Sequence, residues 1–309
     1  MNNIICIAGP TASGKTALAV ELAKEFHGEV VSCDSMQVYR RMDIGTAKPT
    51  VEERQGIPHH MIDVAEPEED FSVSRYCALA TPIVKDILSR GKTAIIAGGT
   101  GLYLDSLIRG NDFAPFPSTG VRERLENRAD TEGMDALFAE LRAVDPEAAD
   151  RIKDRKRLIR ALEVYYETGE TITAHNKRTQ TIPPRFSPIF LGLDFANRQT
   201  LYDRIDQRVT IMLDQGLVEE IQNLLASGIP ENCTAMQAIG YKEFVAALDG
   251  EITIEAAADQ VRHSSRRYAK RQLTWFRRNK AMHWLTREDG ADASEILAQA
   301  RQILRDFDN

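Results

Sequence analysis

An α/β fold, a parallel sheet core interrupted by a helical insertion, is predicted by three observations. The first third of the chain alternates short apolar, β-branched runs with segments of helical spacing, the pattern of strands joined by crossover helices. Between Ser118 and Arg185 that alternation stops, and the sequence becomes helix-forming and charge-rich throughout. A glycine-bounded loop, Gly9-Pro-Thr-Ala-Ser-Gly-Lys-Thr16, stands directly after the first apolar run and before the first helical segment.

The first strand is Ile4 to Ala8, followed by a helix from Thr16 to Phe26. Glu29 to Cys33 and Thr93 to Ala97 are the second and third strands, and a helix over Ser72 to Ser89 separates them. Proline-marked joints, Asn111 to Pro117 and Thr181 to Pro184, bracket the insertion. Its helices are expected at Val121 to Arg128, Met134 to Val144, Pro146 to Ile152 and Asp154 to Thr168. Ser187 to Phe195 is read as the last strand of the sheet. Helices then follow at Arg198 to Gln215, Val218 to Ala226 and Ile254 to Arg278. The expected division is a core from 1 to 117, an insertion from 118 to 186, and the remainder of the core with C-terminal helices from 187 to 309.

Composition narrows the class. With 43% hydrophobic and 28% charged residues, the chain reads as an ordinary soluble globular protein. It has no apolar run near the roughly 18 residues of a membrane span, and no basic segment ahead of an apolar leader. Cys6, Cys33, Cys77 and Cys233 are far apart, so neither disulfides nor a zinc site are expected, and a cytoplasmic location is the default. The net charge of −7 weighs against a nucleic-acid partner, but its distribution weighs the other way. Arg262, Arg266, Arg267, Lys270, Arg271, Arg277, Arg278 and Lys280 form a run without an acid, and Arg151 to Arg160 is a second basic stretch. Either these are solvated helix faces or they meet a local anion.

The loop from Gly9 to Thr16 fits G-x-x-x-x-G-K-[ST] between a strand and a helix, which makes the core P-loop NTPase-like. Backbone N–H groups of Gly9, Pro10's successors Thr11, Ala12 and Ser13, and Gly14 would curl round an anion at a helix N-terminus. Lys15 would reach the terminal phosphates, and the Thr16 hydroxyl would hold a magnesium ion. Asp34 ends the second strand beside this loop. It is read as a magnesium or general-base carboxylate, or else as a turn residue. Gly98 to Gly101 ends the third strand where hydrolysing P-loop enzymes often place a magnesium aspartate, which favours a small transferase over a motor or switch. The adjacent pair His59-His60 is not expected to bind metal. Arg204 and Arg208 share a helix face, either to clamp an anion or to pair with Asp203 and Asp206. Trp275 and Phe276 are read as core rather than as stacking platforms.

Taken together, the motifs resemble the isopentenyl-tRNA transferase family nearly end to end. The resemblance rests on GPTASGKT at Gly9 to Thr16, DSMQVY at Asp34 to Tyr39, MDIGTAKP at Met42 to Pro49 and PHHMID at Pro58 to Asp63. It continues with GGTGLY at Gly98 to Tyr103, RLIRALE at Arg157 to Glu163, QAIGYKE at Gln237 to Glu243 and KRQLTWFR at Lys270 to Arg277. It implies transfer of a dimethylallyl group from dimethylallyl diphosphate to the exocyclic amine of the adenosine 3′ of the anticodon, in tRNAs reading codons that begin with U. Diphosphate is released. By the same resemblance Asp34 accepts the amine proton, Thr11 contacts the oxygen bridging carbon and phosphorus, and Arg208 joins the loop and magnesium in stabilising diphosphate. It implies tRNA contacts at Asp34, Ser35, Met36, Gln37, Thr100 and Arg122, at Lys156, Arg157, Leu158, Ile159 and Arg160, and at Gln237, Ala238, Ile239, Gly240, Tyr241 and Lys242. The target base would have to be swung out of its stack. Ending at Asn309 without cysteine pairs, the chain resembles the shorter bacterial form, and a monomer is the default expectation. The rival readings are an adenylate isopentenyltransferase, a small-molecule kinase using ATP, and a nucleotide-gated RNA-binding module.

Overall fold

In the computed structural model, which describes residues 3–110 and 119–308, the core is a single parallel sheet. Its strands are β1 (Ile4–Ala8), β2 (Gly28–Ser32), β3 (His59–His60), β4 (Thr93–Gly98), β5 (Ile189–Phe195) and β6 (Met282–Arg287). They lie in the order β3-β2-β4-β1-β5-β6 with every pairing parallel. β1 is central and fully buried, its Cα partners running from Ile4 with Ala94 to Ala8 with Gly98 on one side and from Ile5 with Ile189 on the other.

Around the sheet run α1 (Lys15–Glu25), α2 (Val51–Arg54), α3 (Val73–Ser89) and α4 (Gly101–Arg109). The insertion carries α5 (Val121–Thr131), α6 (Met134–Val144), α7 (Pro146–Arg151), α8 (Arg155–Thr168) and α9 (Ile172–Gln180). Then come α10 (Arg198–Asp214), α11 (Leu217–Ala226), α12 (Lys242–Leu248), α13 (Ile254–Phe276) and α14 (Ala293–Asp308). The chain divides into two compact units, Met1–Ile108 with Arg185–Asn309, and Arg109–Pro184. The expected joint at Asn111 to Pro117, and the expected boundary beside it, lie outside the described residues.

Each unit has its own apolar core. In the sheet unit Ile5, Ile7 and Leu191 pack with Leu18 and Leu22 of α1 and with Ile296, Ala300 and Leu304 of α14. In the helical unit Leu125, Leu137, Leu141, Leu158 and Leu162 form the centre. There the buried Asp145 carboxylate accepts the Ala148 N–H at the start of α7 and the Thr173 N–H of α9, both at 3.0 Å. One side chain thereby caps one helix and anchors another.

Two strands lie where the sequence reading placed none. The sheet continues after Phe195 to β6, so Ser187 to Phe195 contributes an inner strand and not the last one. Met282 to Arg287 carries no continuous apolar run, because as an edge strand it buries only Met282 and Leu285. His59 and His60 form the other edge, β3. His60 Nε2 lies 2.8 Å from Glu29 Oε2, and His59 Nδ1 lies 2.9 Å from the Ile57 carbonyl, so both rings are engaged structurally. Five further helices, α2, α4, α9, α12 and α14, also fell outside the sequence-based segments.

Candidate active site

The phosphate loop leaves the buried end of β1 and enters α1 at Gly14, whose φ of 92° is a left-handed conformation suited to glycine. Lys15 Nζ donates to the Pro10 carbonyl at 2.6 Å. Burial, then the neighbouring Arg208 guanidinium, lower the Lys15 pKa to about 8, and Asp34 opposes them. The Ser13 hydroxyl is buried with no hydrogen-bond partner among the described residues. A buried hydroxyl in that state is suited to a ligand oxygen.

Helix α10 aims both of its candidate arginines at this loop. Arg204 Nε donates to the Ala12 carbonyl at 2.9 Å, and Arg208 donates to Thr11 Oγ1 at 3.3 Å. The alternative pairing with Asp203 and Asp206 does not form: Asp206 takes Arg266, and Asp203 takes the Gln199 amide. Desolvation, opposed by Glu53 and reinforced by Arg204, holds the half-buried Arg208 below the usual arginine range. An incoming anion would relieve that cost.

Gln272 of α13 joins the loop from the other side, and the sequence reading missed it. Its Oε1 accepts the Thr11 N–H at 2.9 Å, while its Nε2 donates to the Gly99 carbonyl at 2.9 Å. Lying inside KRQLTWFR, it was overshadowed by the charges around it. Gln272→Leu should destabilise the fold by about 2–4 kcal/mol, because a donor and an acceptor lose their buried partner together. Thermal denaturation would read this directly, and a shift equivalent to less than about 0.5 kcal/mol would mean that the two groups find other partners.

Asp34 follows β2. Its Oδ1 accepts the Met36 N–H at 2.9 Å and the Gln37 N–H at 3.4 Å, so the carboxylate closes a turn as well as reaching the cavity. The turn packs on the loop after β4. A Cβ on Gly98 would lie 1.9 Å from the Cys33 carbonyl oxygen, which explains the glycine there. Thr100 Oγ1 accepts the Ser35 N–H at 3.0 Å. Gln37 is held at both ends: Nε2 donates to the Ala47 carbonyl at 3.1 Å, and Oε1 accepts from Ser32 Oγ at 3.0 Å.

These groups line one cavity of about 480 Å³. The loop from Thr11 to Thr16, Asp34 to Gln37 and Arg208 are on its walls, as are Gln237 to Gly240 and the apolar side chains of Val209, Met212 and Val261. Asp34 is not the cavity's lone carboxylate, because Glu53 of α2 lines it too. Glu53 Oε2, however, accepts the Thr50 N–H at 2.9 Å within a capping box.

The remaining expected contacts divide by burial. Leu158 and Ile159 are buried in the core of the helical unit and Tyr241 is buried in the sheet unit, so their side chains are not open to a tRNA and the expectation is corrected for all three. They fell within motifs read as whole blocks, although only the outward side of a helix meets a ligand. Arg122, Lys156, Arg157 and Arg160 are exposed. Arg122 pairs with Glu126 at 3.4 Å, Arg157 with Asp154 at 3.4 Å and Arg160 with Glu163 at 2.8 Å. In α13 Arg262 pairs with Asp259 and Arg266 with Asp206, while Arg277, just beyond it, takes Asp194. Phe276 is buried, and half-buried Trp275 donates from Nε1 to Asp105 Oδ2 at 2.9 Å.

A single parallel sheet with this loop at the end of its central strand, arginines directed at it and an apolar wall in the same cavity defines an α/β protein with a P-loop-like core. Residues 37–279 match the family described as IPP transferase, and the chain belongs to that family. It is 50% identical over 297 residues to a tRNA dimethylallyltransferase of Thermoanaerobacter sp. (strain X514), covering 95% of this chain and 94% of the relative. Among solved structures it is similar to the full-length tRNA isopentenylpyrophosphate transferase of Bacillus halodurans, with 41% identity, TM-score 0.74, and 99% and 96% of the two chains covered. It is also similar to a eukaryotic dimethylallyltransferase acting on tRNA, with 29% identity, TM-score 0.81, and 98% of this chain and 78% of that one covered.

Proposed function

We infer that the protein is a tRNA dimethylallyltransferase that moves the allyl group of dimethylallyl diphosphate onto the exocyclic amine of the adenosine 3′ of the anticodon, in tRNAs reading codons that begin with U. The observation that carries this reading is one cavity lined by a phosphate loop, a half-buried arginine, a strand-end carboxylate and apolar side chains. The relatives' names supply the acceptor.

In the proposed reaction the amine nitrogen bonds the allyl carbon as that carbon's bond to the diphosphate oxygen breaks, and the electron pair leaves with diphosphate. The amine is a poor nucleophile, because its lone pair is delocalised into the purine. Loop N–H groups, Lys15 and Arg208 would stabilise the charge growing on the leaving group. Thr11, bonded to Arg208, would approach the bridging oxygen. Asp34 would take the amine proton, its carboxylate already oriented through Oδ1.

Magnesium fits the same cavity. The Thr16 hydroxyl offers a hard oxygen donor of the kind that this ion takes. No cluster of three or more His, Cys, Asp or Glu able to hold a metal is present among the described residues, so diphosphate and water would complete its shell. The bound ion would supply further charge neutralisation on diphosphate. Among the described residues no helix is long and apolar enough to cross a membrane. We propose a cytoplasmic, monomeric enzyme.

Incubating the purified protein with radiolabelled dimethylallyl diphosphate and unmodified tRNA, without ATP, tests the reading. Label should enter tRNA with one diphosphate released per allyl group. Transfer to free AMP instead, or a strict need for ATP hydrolysis, would overturn it. For the exposed charges of α8, Lys156→Ala with Arg157→Ala should weaken tRNA binding and flatten its salt dependence, the slope changing by about one for each phosphate that the protein no longer neutralises. Donor affinity should not change. An unaltered slope would make these two side chains a solvated face.

A further inference from the structure

The cavity wall formed by residues 45–47 and 237–240 offers mostly backbone and small side chains, so its position must be set by something behind it. The candidate is a single carboxylate on α11. Glu220 Oε2 accepts the N–H groups of Asp43 and Ile44, both at 2.8 Å, and Oε1 accepts the Gly45 N–H at 3.2 Å. Oε1 also accepts the Tyr241 hydroxyl at 2.6 Å. Four donors from two segments therefore converge on one side chain.

The second segment is locked against the first by shape as well. A Cβ on Gly45 would lie 2.4 Å from the Tyr241 ring, so the ring packs directly on that glycine's backbone. Gly240, with φ at 96°, donates its N–H to Glu243 Oε2 at 2.9 Å, which fixes the turn leading into Tyr241. From Gly45 the wall runs to Thr46 and Ala47, whose carbonyls accept Gln37 Nε2 at 3.4 and 3.1 Å. Glu220 is thus connected, through backbone, to the turn that orients Asp34.

We propose that Glu220 is a positioning residue for the acceptor side of the cavity, holding the 43–47 and 237–241 segments at a fixed spacing through its four hydrogen bonds. The proposal rests on the tRNA-prenylation reading for the identity of the acceptor. Glu220 is absent from the cavity lining, whereas the phosphate loop is held independently by Lys15, Arg204, Arg208 and Gln272. Disturbing Glu220 should therefore affect the acceptor and spare diphosphate. A flat base between two close segments is sensitive to small changes in their spacing.

The variants are Glu220→Gln and Tyr241→Phe. The carboxamide turns an N–H group towards donors, so at least one charged hydrogen bond is lost; Tyr241→Phe removes one donor and keeps the ring. Two measurements separate the roles: calorimetric affinity for inorganic diphosphate, and KM for tRNA with kcat in allyl transfer. KM for tRNA should rise about tenfold or more in Glu220→Gln, the usual scale for a charged hydrogen bond, and several-fold in Tyr241→Phe. Diphosphate affinity should stay within about twofold of wild type. An unchanged KM in both variants would overturn the proposal. So would diphosphate affinity falling in step with KM, since a general stabiliser of the fold would weaken both. If Glu220→Gln does not fold, Tyr241→Phe decides alone. Wild-type protein inert towards tRNA would mark failure of the functional reading, whereas active wild type with unaffected variants would overturn only this inference.

Discussion

Lys15→Ala should lower allyl transfer by roughly 10²-fold or more, since it removes charge stabilisation at the leaving group. The ammonium is held at the mouth of α1 by the Pro10 carbonyl, within a loop already braced by Arg204 and Gln272. Folding should therefore survive, and the loss should appear in the chemical step and in donor affinity. Single-turnover rates and calorimetry measure the two. The pH dependence supplies a second check. With its pKa lowered to about 8 by burial and Arg208, Lys15 is protonated below that pH and increasingly neutral above it. Donor binding favours the ammonium, so affinity should be flat below about pH 7.5 and decline towards tenfold per unit above pH 8 in the wild type. The alanine variant should lack that decline. For stability the sign is opposite. Between about pH 8 and the ordinary lysine value of 10.5, the unfolded chain binds a proton that the folded chain does not, so this residue adds stability as pH rises. A near-normal transfer rate for Lys15→Ala would remove the loop from the chemistry.

Asp34→Asn should keep tRNA affinity within a few fold and lower turnover by roughly 10²-fold or more, the scale of a lost general base. The substitution is unusually clean here. Oδ1 carries the turn by accepting the Met36 and Gln37 N–H groups, and asparagine retains that acceptor. The change removes the basic carboxylate while the turn that positions it persists. Asp34→Ala should behave worse, because the turn would be lost as well. Comparable single-turnover rates for wild type and Asp34→Asn would assign the proton to another group. Glu53, its Oε2 already taken by the Thr50 N–H, is a poor substitute.

The parts of this site legible in the sequence were those with local grammar. A phosphate loop is recognisable because its chemistry needs fixed residues at fixed spacing, and the β1–loop–α1 unit was placed to within a residue. Central strands announce themselves by continuous apolar runs. β6 does not, since an edge strand that buries only Met282 and Leu285 reads as polar chain. The elements that hold the site together were illegible for a different reason. Gln272 and Glu220 act across 261 and 177 residues of sequence, on Thr11 and Asp43, and no local pattern encodes such a contact. Arg208 lay between the two cases. Its helix face was visible, but whether it turned to solvent or to the loop depended on the position of α10.

The Phe186 N–H donates to the Ile108 carbonyl at 3.2 Å, so the chain leaves the sheet unit and returns to it at one place. The segment between them, Arg109–Pro184, is a compact unit with an apolar centre of its own. Topologically it is a long loop whose ends are already joined, and the entropy of closing such a loop grows only slowly with its length. The sheet can therefore acquire register without waiting for the helices to fold, and each unit can collapse round local contacts. Such an arrangement tolerates change in the size of the inserted piece with little cost to the enclosing fold, which makes 108 and 186 the natural positions for grafting or for splitting the polypeptide into two fragments.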